Sequence, residues 1–99
     1  MPTLAVELLD DAALGLHEFA RCASLAPEWV LAHVQAGVLQ PACGATSTQW
    51  RFASAAVVRA RRIAELEHIY DADPQLAALA ADLIEEVAAL RRALASLPV

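Results

Sequence analysis

The segment VLQPACGATSTQWRF, residues 38–52, decides how the rest of the chain is read. Helix-forming sequence flanks it on both sides, so the proline, the glycine and the run of small polar residues mark a deliberate interruption. Val38 and Leu39 read as an extended pair, and Pro41 marks where ladder pairing stops, because proline lacks the N–H that a ladder needs. Residues 43–48 form a small polar loop around Gly44. Gln49, Trp50, Arg51 and Phe52 then return as a strand, with Trp50 and Phe52 on one face by the period of two. The expected unit is a β-hairpin whose aromatic residues anchor it to a helical body.

Upstream of the hairpin the pattern predicts two short helices. Leu4, Val6 and Leu8 alternate with smaller or polar residues and suit a short strand with one buried face. Gly15 is a fair N-cap and Glu18 stands at N3 of a capping box, which starts a helix running to about Cys22. After the turn at residues 24–26, Pro27 sits at N1 of a second helix, with Glu28 in the first turn. Val30 and Val34 supply its apolar stripe, and Gly37 closes it at C′. Two helices joined by so short a turn are a helix-turn-helix candidate.

Downstream, Ala56, Ala60, Ile63, Leu66 and Tyr70 recur at helical spacing and predict a third helix over about 54–70. Its arginines, Arg59, Arg61 and Arg62, lie mostly off that face and read as a solvated, salt-bridged surface with the acidic residues that follow. Asp73-Pro74 restarts the chain as N-cap and N1, opening a last helix to about Leu97. In it Leu76, Leu83, Leu90 and Leu97 repeat every seven residues, with Leu79, Val87 and Leu94 between them. A stripe of this kind is a coiled-coil seam. A helix of ~24 residues spans ~36 Å by its rise, more than a small domain covers alone, so a homodimer is expected. The expected organisation is a body over residues 1–72 and a C-terminal dimerisation helix over 73–99, packed on the same domain. Asp82, Glu85 and Glu86, at i, i+3 and i+4, gather their carboxylates on one side of that helix.

Composition excludes several functional classes. Seven arginines, no lysine and twelve acidic residues give the 99-residue chain a formal net charge of −5. Nucleic-acid binders draw most of their non-specific affinity from positive surface, so basic proteins are the expected partners and nucleic acid is not. Hydrophobic content is 59%, yet only 5% is aromatic; much of the remainder is alanine, which favours helix and not a bilayer. No membrane span and no secretory leader is read at the N-terminus, so the expected location is cytoplasmic. Cys22 and Cys43 lack paired metal or redox spacing, and His17, His33 and His68 lack ligand spacing. No metal, no cofactor and no catalytic activity are expected.

With these residues placed, the chain resembles the MerR-like winged helix-turn-helix proteins, and within them the chaperone modulators of the CbpM family. The resemblance is carried by LHEFARCASLAPEWVLAHVQAGVLQP (16–41), QWRF (49–52), the arginine-bearing third helix and DLIEEVAALRRAL (82–94). It implies a mainly α fold with a small β-wing and a long C-terminal helix. It also implies a function: binding the J-domain of a CbpA/DnaJ-like co-chaperone and blocking its stimulation of a DnaK-type chaperone. The J-domain helix that docks on DnaK is basic, which agrees with the charge of this chain. The family's contact residues are not carried over. From the residues themselves, Asp82, Glu85 and Glu86 are the expected partner surface, with Glu28 and Trp29 as the second candidate. A MerR-type DNA-binding transcription regulator is the alternative, weakened because residues 27–36 and the loop 41–49 contain no Arg or Lys.

Overall fold

The computed structural model describes residues 14–98, and the strand expected at Leu4, Val6 and Leu8 lies outside them. The described chain is mainly helical: α1 (Leu16–Ala23), α2 (Pro27–Gln35), α3 (Ala56–Tyr70) and α4 (Pro74–Ala95). It falls into two compact units that divide between Arg62 and Ile63, inside α3 and N-terminal to the Asp73 joint where the sequence suggested a boundary.

In the first unit α1 and α2 pack against each other. At the start of α1 the Gly15 N–H donates to Glu18 Oε1 at 3.3 Å. This is half of a capping box, since glycine has no side chain to return the bond. Ser24 closes the helix in the left-handed conformation, φ 60°. The Leu25 N–H reaches the Ala20 carbonyl at 2.8 Å and the Ser24 N–H reaches Arg21 at 3.1 Å, the paired bonds of a Schellman turn. The α2 helix ends the same way. Gly37, at φ +80°, donates to Val34 at 3.0 Å, and Val38 donates to His33 at 3.0 Å. The chain thus leaves α2 with Val38 and Leu39 buried, as a hydrophobic C″ position favours.

The hairpin segment is more economical than the sequence pattern suggests. Among the described residues it forms two isolated antiparallel bridges, Cys43 with Arg51 and Leu14 with Phe52, and no strand ladder. The loop explains why. The Gln49 N–H bonds back to the Thr46 carbonyl at 2.8 Å and Gly44 turns at φ +107°, so only Arg51 is left in register with Cys43. The next residue, Phe52, directs its backbone to the other side, donating to Leu14 at 2.7 Å and accepting from it at 3.2 Å. Residues 51 and 52 therefore hold the loop to the segment that precedes α1. Phe52 is buried and stacks on Phe19, ring centroids 4.3 Å apart and planes 17° from parallel. Trp50 is half-buried and meets Phe52 edge-on at 6.2 Å. Phe52 is the anchor, and Trp50 leans on it.

The third helix begins at Ala56, after turn bonds from Ala56 to Ala53 and from Val57 to Ser54, slightly later than the sequence pattern placed it. Ala60 and Ile63 are buried and Leu66 is half-buried, but Tyr70 is 71% exposed. The expected apolar stripe thus ends before its last member. The helix stops there, where Asp71 takes a positive φ of 50°. In the second unit Asp73 caps α4, accepting from the Leu76 N–H at 2.8 Å, with Pro74 at N1. The helix ends at Ala95, and the Ser96 hydroxyl donates to the Ala93 carbonyl. Leu97, expected as the fourth leucine of the helical seam, therefore lies beyond the helix. Pro98 follows it, and a residue before proline disfavours helical backbone.

Candidate protein-binding surfaces

The α4 helix is amphipathic in an unusual sense. Its buried residues are Ala77, Ala78 and Ala81, all small. Its large apolar residues are exposed: Leu76, Leu79, Leu83, Leu90 and Leu94 each exceed half of their possible exposure, and Ile84 and Val87 exceed two-fifths. At 100° per residue, Leu76, Leu83, Val87, Leu90 and Leu94 fall on one stripe, and Ala77, Ala78 and Ala81 fall on the far side of the helix. The expected seam residues Leu76, Leu83 and Leu90 thus lie together on an exposed helical face that runs ~27 Å from Leu76 to Leu94 by the helical rise. A shallow groove lined by Leu83, Ile84, Val87, Ala88 and Arg91 runs along one edge of it.

Of the acidic residues of α4, Glu86 flanks that stripe, Asp82 lies further round and Glu85 is opposite it, and all three are exposed. Their spacing brings the three carboxylates together on one side, with Glu86 nearest the seam. The N-terminal turn of α4 is satisfied by Asp73 and contains no other acid, so the cluster stands in mid-helix, away from the dipole's ends.

Glu28 and Trp29, the second candidate surface, belong to the first unit, in the opening turn of α2. Glu28 is exposed, and Trp29 is half-buried. The indole stacks on His33 one turn later, centroids 3.5 Å apart and planes 17° from parallel. The His33 Nδ1–H donates to the Trp29 carbonyl at 2.7 Å, and the histidine is itself buried. Trp29 is therefore engaged within its own helix, and Glu28 is the exposed member of this pair. The sequence places Trp29 and His33 at i and i+4, a spacing that permits this contact without requiring it.

A second feature is missed by sequence reasoning. The Leu14–Phe52 bridge brings Gly15, His17 and Glu18 beside Ser47, Thr48 and Arg51, and these residues line an open cleft of about 410 Å³. The size is that of a small-ligand site, but its polar residues do not converge. The Arg51 guanidinium folds back onto the Trp50 carbonyl at 2.9 Å. Only the non-local bridge creates this neighbourhood, and nothing in the local pattern announces it.

Among the described residues no group of three or more His, Cys, Asp or Glu is placed to hold a metal ion. Cys22 and Cys43 are free and exposed. No described helix is long and apolar enough to cross a membrane. No protein-family model, curated protein or solved structure matches the chain.

Proposed function

We propose that the chain is a chaperone modulator of the CbpM kind: a protein–protein inhibitor with a MerR-like winged helix-turn-helix body. It binds the J-domain of a CbpA/DnaJ-like co-chaperone and blocks its stimulation of a DnaK-type chaperone. In this reading α1 and α2 are the helix-turn-helix, the loop held by the Cys43–Arg51 bridge is the wing, and α4 carries both the partner surface and a homodimer seam.

The observation that carries the reading is the exposed carboxylate cluster of Asp82, Glu85 and Glu86 on a protein of net charge −5. Such a surface suits the basic helix with which a J-domain addresses DnaK. Occupying that helix needs no proton transfer and no metal, only occlusion of a shared site. Opposite charges across the contact also speed its formation and make it sensitive to salt. A DNA-binding role has less support, because α2, the helix that would enter the groove, contains no Arg or Lys.

The test is calorimetric titration of a purified J-domain at two salt concentrations. Reversing the cluster with Asp82→Lys and Glu85→Lys weakens binding by at least tenfold, about 1.4 kcal/mol, while helicity and oligomeric mass persist. Unchanged affinity without salt dependence would move the contact to Glu28 and Trp29. Absence of J-domain binding, together with a low-salt gel shift on random DNA, would replace the proposal with the regulator reading.

A further inference from the structure

We draw no further inference here: the strongest candidate, the open cleft between the first turn of α1 and the loop at Ser47, Thr48 and Arg51, carries nothing, because its charged side chains are exposed and nothing in the structure shows what would occupy it.

Discussion

The two units use apolar side chains in opposite ways. The first encloses its large ones: Phe19, Phe52 and Val30 are fully buried, and the two phenylalanine rings stack face to face. In the second, α4 hides alanines and leaves five leucines outside. Hydrophobic content alone does not distinguish these cases. What distinguishes them is where the size lies: a ring buried at the meeting of three segments stabilises the fold of its own chain, whereas a leucine ladder on an open helix face stabilises nothing until another chain covers it. Burying one leucine contributes ~1.5–3 kcal/mol, so five of them form a strong reservoir for association.

The largest expected effect lies in the aromatic core of the first unit. Phe52→Ala removes a ring that is 1% exposed, stacked on Phe19, and tied by backbone bonds to Leu14. The expected loss of stability is ~3–5 kcal/mol, read by denaturant unfolding. A variant that melts like the wild type would place the ring outside the core. Gly44→Ala is the next step down. At φ +107° the added Cβ strikes the Gln49 carbonyl oxygen and lies 2.7 Å from Trp50 Cα, so the loop must open. About 1–3 kcal/mol is expected from backbone strain of this type, with the Trp50 environment changed in fluorescence. The smallest effect belongs to the second unit. Asp73→Ala removes the oxygen that caps the Leu76 N–H and costs ~1 kcal/mol, whereas Asp73→Asn keeps most of it. Equal melting of the Ala and Asn variants would mean that the cap contributes nothing.

Local chemistry made the helix boundaries legible. Pro27, Gly37 and Asp73-Pro74 act within a few residues of themselves, and each stands where its backbone role requires. The heptad in α4 was legible for the same reason, up to Ala95. Three features were not. Ser24 and Asp71 adopt positive φ without being glycine, a choice made by the surrounding turns. The Leu14–Phe52 bridge joins distant segments, so no window of sequence contains it. The exposure of the candidate surfaces is tertiary as well: spacing put Asp82, Glu85 and Glu86 together, but the stacking of Trp29 on His33 needed coordinates.

The proposed homodimer rests on the leucine face of α4 acting as an interface between chains. Light scattering at tens of micromolar tests it directly, comparing wild type with a variant carrying Leu83→Asp and Leu90→Asp. The wild type is expected at twice the mass of the 10.5 kDa chain. The variant is expected at the mass of a single chain, with its helicity and the Phe19–Phe52 core unchanged. A wild type at 10.5 kDa, or a variant that still runs as a dimer, would contradict the account.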